Sequence, residues 1–172
     1  MKILCIQASA RTDGNTAKIV SHLQQLLPMD IIHLKDLNIG HFDYDFNNRD
    51  DDFFPLIQNF IEKYDVLLLA TPIYWYTMSS YLKAFMDRIS DLLIIDKATG
   101  RKLRGKCMAS LACGSAQEPT EAFFAPIRSS AEYLGMEYIG EVHTWIEQTA
   151  IPSEVKPILL AFAKEISSVK KK

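Results

Sequence analysis

The chain has 172 residues, of which 48% are hydrophobic and 23% are charged, and its formal net charge is -2. This length predicts a single domain over residues 1–172, with a core that needs no disulfide bonds. A charge this close to zero lacks the basic excess that nucleic acid or an anionic membrane attracts. The apolar run after Lys2 is too short for a signal peptide and no run could span a bilayer, so we expect a cytoplasmic location and no membrane partner.

Strand-like and helix-like segments alternate along the chain. In chain order, apolar runs predict strands at residues 3–6, 30–34, 65–70, 106–113 and 136–146. Apolar residues at helical spacing predict helices over residues 19–27, 56–61, 82–93, 123–134 and 155–166. The third strand, DVLLLA, has the uninterrupted apolar sequence of a strand covered on both faces. The alternation predicts an α/β fold, a doubly wound five-stranded parallel sheet with helices on both faces.

Residues 36–54 interrupt this alternation with a long irregular segment of acidic and aromatic side chains. Loops of this length in compact domains are usually functional or disordered. One of Asp50, Asp51 and Asp52 is expected to cap a helix that begins near Phe54 or Pro55, with the acidic run otherwise in solvent. The aromatic side chains are candidates to cover a ligand or a partner subunit.

Three cysteines, Cys5, Cys107 and Cys113, lie in runs that are typical of buried strands. An odd number cannot pair completely, and no CxxC spacing with nearby histidines is present. We therefore expect free thiols that behave as small apolar residues, and no metal site.

A loop rich in hydrogen-bond donors follows the first predicted strand and runs into a helix. Ser9, Arg11, Asn15 and Thr16 supply donors and one cation, and Gly14 lets the backbone come close to a ligand. Because a helix N-terminus favours anions, this loop predicts a phosphate site. The alternative is that its Ser, Thr and Asn side chains only cap the helix.

Two further loops are expected at the same edge of the sheet, where ligands of open parallel sheets bind. The first contains three consecutive aromatic residues, Tyr74, Trp75 and Tyr76, which cannot all face the core, so at least one should line a cleft. The second offers Gly114 and Ser115 as a tight turn after the fourth strand. A phosphate cradle beside an aromatic wall predicts a site for flavin mononucleotide (FMN).

These loops resemble those of the flavodoxin-like family of NAD(P)H-dependent FMN reductases and quinone reductases. The segment SARTDGNT is similar to the family's first-loop pattern of Ser, x, Arg, a short spacer and Asn-Thr. The segment TPIYWYTMSSYLKAFMDR is similar to its Pro-x-Tyr loop and the following helix with Leu-Lys-x-Phe-x-Asp-Arg. Many members have Gly where this chain has Ala8. Some carry a cysteine cluster in the segment that corresponds to residues 36–54, which here has no cysteine, so no iron–sulfur centre is expected.

The resemblance implies a flavodoxin-like strand order, 2-1-3-4-5, and a set of residues around FMN. The implied phosphate contacts are Ser9, Arg11, Asn15 and Thr16. The implied isoalloxazine contacts are Pro72, Ile73, Tyr74 and Trp75, with Gly114 and Ser115 at the outer edge of the ring.

The resemblance also implies an oxidoreductase with FMN as cofactor and NADH or NADPH as electron donor. Electrons would pass through the flavin to a quinone or similar small acceptor in a ping-pong cycle, for which the protein needs no catalytic residue of its own. His143 and Trp145, at the end of the fifth strand, are candidates to touch the cleft. A lone histidine near a strand end is more often structural, and His143 is interpreted in that way. From the aromatic residues of segments 42–54 and 74–76 we expect a homodimer or homotetramer.

Four alternatives remain open from the sequence. Cys5, five residues and Arg11-Thr12 match the spacing of cysteine phosphatases, although Cys5 is predicted in mid-strand and no Asp precedes a Pro. A flavodoxin-type electron carrier would bind the same cofactor, but such carriers are usually strongly acidic. The chain could also use FMN as a passing substrate, or bind ligands on the same fold without a cofactor.

Overall fold

A computed structural model describes residues 1–117 and 121–170 of the chain. It contains five parallel strands, β1 (Ile3–Gln7), β2 (Asp30–His33), β3 (Val66–Tyr74), β5 (Cys107–Gly114) and β6 (Glu137–Trp145), and a short strand β4 (Thr77–Met78) that pairs antiparallel with β3. The sheet order is β2-β1-β3-β5-β6. Numbered without β4, this is the predicted order 2-1-3-4-5, so the flavodoxin-like fold class is confirmed.

Six α-helices connect or follow these strands within the described residues: α1 (Asn15–Leu26), α2 (Phe53–Lys63), α3 (Ser80–Ile94), α4 (Lys97–Arg101), α5 (Glu121–Leu134) and α6 (Val155–Ser168). A 3-10 turn, Leu34–Asp36, follows β2. The sequence did not predict β4 or α4, because two residues are too few for a strand period and five residues too few for an apolar helical stripe.

The two faces of the sheet bury separate apolar layers. Helices α1 and α6 cover one face, and α2, α3 and α5 cover the other. Alternation along β1 shows how the sequence divides its side chains, because Ile3 and Cys5 face α1 and α6 whereas Leu4 and Ile6 face the other layer. Both layers are needed to bury strands that are apolar at every position.

The irregular segment 37–52 is fixed to the middle of α3 by a buried arginine. Arg88 Nε donates to Asp91 Oδ2 at 2.7 Å, and its Nη1 pairs with the Asp51 carboxylate. Nη1 and Nη2 also donate to the carbonyl oxygens of Gly40 and Asn48, at 3.2 and 2.9 Å. A long loop without regular structure therefore has a defined attachment to the helix.

One member of the acidic run supports the start of α2, as expected, but the run is not simply solvated. Asp51 Oδ1 accepts a hydrogen bond at 2.9 Å from the N–H of Phe53, the first residue of α2. The Asp51 side chain is only 6% exposed because it also pairs with Arg88. Asp52 occupies the N-cap position, but its carboxylate accepts instead from the N–H of Asn38.

Three findings concern cysteines, metals and membranes. All three cysteines are free and buried. No group of three or more His, Cys, Asp or Glu side chains within residues 1–117 and 121–170 is arranged to hold a metal ion. In the same part of the chain, no helix has the length and apolar character that crossing a membrane requires.

Candidate functional site

A cavity of about 180 Å³ lies at the carboxyl ends of β1, β3 and β5. The strand order reverses between β1 and β3, so the cavity is at the position where ligands bind to doubly wound sheets. Three loops contribute the lining residues Ser9, Arg11, Gly14, Asn15, Thr16, Pro72, Ile73, Tyr74, Cys113, Gly114 and Ser115. The structure thus brings together nine of the ten residues implied by the resemblance, and adds Gly14 and Cys113.

Helix α1 begins at this cavity without a side-chain cap. Its N-cap residue is Gly14, which has no side chain, and no side-chain hydrogen bond caps the helix. In contrast, Ser79 caps α3 and Asp96 caps α4 through their side chains. The alternative that the polar residues of the first loop only cap the helix is therefore wrong. Within the described residues, no side chain caps the N-terminal N–H groups of α1, which is the arrangement that suits a bound anion.

The charge of the lining favours an anion at the same end. Among the described residues that line the cavity, Arg11 is the only one that carries a charge at neutral pH. Thr16 is 2% exposed and lines the cavity close to Cys113. Burial raises the pKa of the Cys113 thiol to about 11, with hydrogen bonds to Thr16 and Thr144 opposing the shift. The thiol is therefore neutral at pH 7 and does not repel an anion.

Ser9 gives the first loop its shape. Its hydroxyl donates to the carbonyl oxygen of Arg11 at 2.6 Å and accepts from Gln7 Nε2 at 3.2 Å. Ser9 is only 7% exposed although it lines the cavity. In this arrangement its hydrogen is engaged by the loop itself, so donation to a ligand requires that the hydroxyl exchange one partner for another.

The buried residue Ser79 connects the first loop of the cavity to the second through hydrogen bonds. Ser79 Oγ donates to the carbonyl oxygen of Ala8, and its backbone N–H donates to Thr71 Oγ1 at 3.1 Å. The same Oγ accepts from the N–H of Leu82 at 3.2 Å, which caps α3. The sequence analysis missed this link. Its only signal was a cap-forming residue placed directly before the helical stripe of α3.

The aromatic loop forms a two-residue hairpin between β3 and β4. Tyr74 pairs with Thr77, so Trp75 and Tyr76 are the turn residues, and both have positive φ, 50° and 65°. Tyr74 lines the cavity together with Pro72 and Ile73. Trp75 is not among the lining residues, and its side chain is 92% exposed. One of the three aromatic residues lines the cleft, as the sequence analysis required.

Cys5 lies in the middle of β1 and is completely buried. Burial raises the pKa of its thiol to about 12. A cysteine phosphatase needs a thiolate at the base of its phosphate loop, with a pKa well below the free value. The phosphatase alternative is therefore wrong.

The fold and the cavity define a flavodoxin-like protein with an uncapped helix N-terminus and an aromatic side chain, Tyr74, in the lining at its switch point. The chain belongs to the NADPH-dependent FMN reductase family, whose model matches residues 1–150. This match confirms the family that was recognised from the two motifs.

One curated relative supports the same family. YwqN of Bacillus subtilis (strain 168), whose name describes an NAD(P)H-dependent FMN-containing oxidoreductase, is 32% identical over 99 residues. The alignment covers 54% of this chain and 54% of YwqN, so the chain spans about half the length of that relative.

Solved structures support the fold. The Trp repressor binding protein from Bacillus subtilis has a TM-score of 0.76 and 22% identity, with 98% of this chain and 100% of that chain covered. An FMN-dependent NADH-azoreductase from Bacillus anthracis, solved with FMN, has a TM-score of 0.68 and 15% identity, covering 98% of each chain. An NADPH-quinone reductase from P. pentosaceus has a TM-score of 0.67 and 19% identity, covering 99% of this chain and 100% of that one. At these identities the likeness extends to the fold alone.

Proposed function

We propose that this chain binds FMN in the cavity, takes a hydride from NADH or NADPH, and passes electrons to a quinone or similar small acceptor by a ping-pong mechanism. The observation that carries the proposal is the composition of one cavity at the switch point. One end combines an uncapped helix N-terminus with Arg11, and the other end is lined by Tyr74, Pro72 and Ile73. FMN carries a phosphate and a flat, partly apolar ring, which are the two groups that these ends suit.

The residues present fit the phosphate group. Arg11 offers a forked cation, Asn15 and Thr16 offer side-chain donors at the first turn of α1, and no carboxylate is among the described lining residues. Ser9 would join them once its hydroxyl leaves the Arg11 carbonyl oxygen. When bound, FMN supplies the redox chemistry itself, so these side chains need only bind and orient it.

The ring end supports an exposed flavin. Cavities that enclose a drug-sized ligand hold about 300–1,000 Å³, whereas this one has about 180 Å³. A ligand as large as FMN would therefore extend beyond the lining toward the aromatic hairpin. An exposed ring face lets a nicotinamide and a second substrate use the same position in turn, as a ping-pong cycle requires. The contact between Trp75 and the ring stays a prediction, since Trp75 does not line the cavity.

We also propose that the protein is a homodimer or homotetramer. Tyr44, Trp75 and Tyr76 are 84%, 92% and 80% exposed, on the two segments from which an interface was expected. Exposed aromatic residues of this size are enriched at protein interfaces. Gel filtration with light scattering at micromolar concentration tests this, and a monomer would contradict it.

The reaction is tested by absorption spectroscopy of the purified protein, before and after addition of FMN and then of NADH or NADPH without oxygen. We expect flavin bands that bleach with nicotinamide and recover when a quinone is added. Bound FMN that bleaches only with a separate reductase would make the protein an electron carrier. A chain that binds no FMN even with the cofactor in excess would overturn the proposal.

The phosphate assignment has its own test, Arg11→Ala. Hydrogen bonds to a charged partner contribute about 1.5–3 kcal/mol, so the FMN dissociation constant should rise about tenfold or more. Affinity for riboflavin, which lacks the phosphate, should change by less than about twofold. Arg49→Ala is the matched control, because Arg49 is an exposed arginine outside the cavity lining. Equal effects of Arg11→Ala on both ligands would refute the assignment.

A further inference from the structure

His143 lies next to the third loop of the cavity, which contains Gly114 and Ser115. It belongs to β6, which pairs in parallel with β5 so that His143 is opposite Ala112 and Trp145 is opposite Gly114. A Cβ atom placed on Gly114 would lie 3.0 Å from His143 Nε2 and 3.6 Å from Ile73 Cδ1. Gly114 and Ile73 line the cavity, whereas His143 does not. The imidazole therefore occupies the space that a side chain at position 114 would need.

The other contacts of the His143 imidazole do not indicate another role for it. Among the described residues it makes no hydrogen bond or ion pair, and its ring packs 6.0 Å from that of Trp145. Burial lowers the pKa of His143, so the ring is neutral at pH 7. The nearest acidic residue on the same strand, Glu141, is already bound to Arg128 and to the hydroxyl of Tyr138. What remains is a steric role at the wall formed by Gly114 and Ile73.

We infer that His143 is a positioning residue for the ring end of the cavity, whose imidazole sets the separation between the Gly114 loop and the side chain of Ile73. This inference rests on the proposed function, because it assigns the supported wall to the flavin ring. This role of His143 also explains why residue 114 is a glycine. Any side chain at position 114 would meet Nε2 at a distance that few real Cβ contacts show, so glycine and histidine fit as a pair.

The inference predicts which ligand affinities change. His143→Ala should weaken binding of FMN and of riboflavin by the same factor, about tenfold, because the support is at the ring end and not at the phosphate. His143→Gln, which keeps a planar polar group of similar reach, should stay within about threefold of the wild type. His33→Ala is the matched control, since His33 is a partly buried histidine at the carboxyl end of β2 and outside the cavity lining.

A double-mutant cycle tests the pairing itself. Gly114→Ala alone should weaken FMN and riboflavin binding, because the new methyl group displaces the imidazole. In the His143→Ala background the same methyl group should cost little or restore affinity, giving a coupling of about tenfold between the two positions. Thermal melting of each apoprotein reports separately on folding, so a loss of affinity in a protein that melts like the wild type is assigned to the site.

The outcomes separate this inference from the proposed function. A wild-type protein that binds no FMN refutes the function. A wild type that binds FMN, with His143→Ala unchanged in affinity or with additive effects of the two substitutions, refutes the role of His143 alone. If His143→Ala does not fold, the FMN affinities of His143→Gln and Gly114→Ala decide the question. Equal FMN affinities of these two variants would overturn the inference. A larger loss for FMN than for riboflavin would place the effect at the phosphate and would also overturn it.

Discussion

Replacing Arg88 with methionine should strongly destabilise the protein while leaving the cavity intact. Arg88 is 1% exposed and satisfies two carboxylates, those of Asp51 and Asp91, and two backbone carbonyl groups. Its guanidinium also lies 5.0 Å from the ring centroid of Phe53. Methionine matches much of the volume but supplies no donor, so both carboxylates lose their cation inside the protein.

The size of the effect follows from this burial. Removing one partner of a buried ion pair costs about 3–5 kcal/mol, because the other charge is left uncompensated. Arg88 is shared by two carboxylates, and Asp91 Oδ1 already has no hydrogen-bond partner among the described residues. We therefore expect a loss near the upper end of that range. For a chain of this size it corresponds to a fall of about 10 °C or more in the melting temperature.

Urea denaturation followed by circular dichroism measures this loss. Lys83→Met is the matched control on the same helix, because its pair with Asp87 is 61% and 45% exposed and should contribute at most about 0.5 kcal/mol. FMN affinity at low temperature should change by less than about threefold, since segment 37–52 does not line the cavity. A loss below about 1 kcal/mol for Arg88→Met would refute the assignment of Arg88 as the attachment of this segment.

Three further substitutions or conditions have expected outcomes. Ser79→Ala removes the cap of α3 and leaves the Ala8 carbonyl oxygen without its donor, so urea denaturation should show a loss of about 2 kcal/mol and FMN binding should weaken. Tyr76→Gly relieves a positive φ of 65° and should stabilise the protein by about 1 kcal/mol in the same assay. Burial raises the thiol pKa of Cys113 to about 11 and that of Cys5 to about 12 from 9.0. Above pH 9 the unfolded chain loses these protons first, so the free energy of unfolding should fall as pH rises from 9 to 11, and Cys113→Val should reduce that slope.

The fold was largely predictable because its main signals are local. Uninterrupted apolar runs such as DVLLLA occur where a strand is covered on both faces, and the helices between them have one apolar stripe each. The predicted third strand stopped at Ala70, whereas β3 continues to Tyr74. Of the four added residues, Thr71 and Pro72 still pair with β5, whereas Ile73 and Tyr74 pair with β4. These four side chains are not uniformly apolar, so periodicity does not detect them.

The cavity was predictable in part for the same reason. The proposed phosphate contacts lie within residues 9–16, so these donors are visible together in the sequence. The contacts that hold the loops of the cavity together join distant residues, such as the hydrogen bond from Ser79 to Ala8, 71 positions apart. His143 was interpreted as structural because a single strand-end histidine has no local pattern, and its contact with Gly114 exists only in the folded sheet.

Substitutions within residues 9–16 and substitutions at more distant positions should affect ligand affinity differently. A change within residues 9–16 removes a local donor and should lower affinity for FMN but not for riboflavin. A change in packing between distant segments, at Ser79 or His143, moves the wall of the ring end and should lower both affinities together. Measuring the two ligands side by side therefore separates direct ligands of the phosphate from residues that position the ring. The same comparison separates both from residues such as Arg88, whose loss should alter stability and neither affinity.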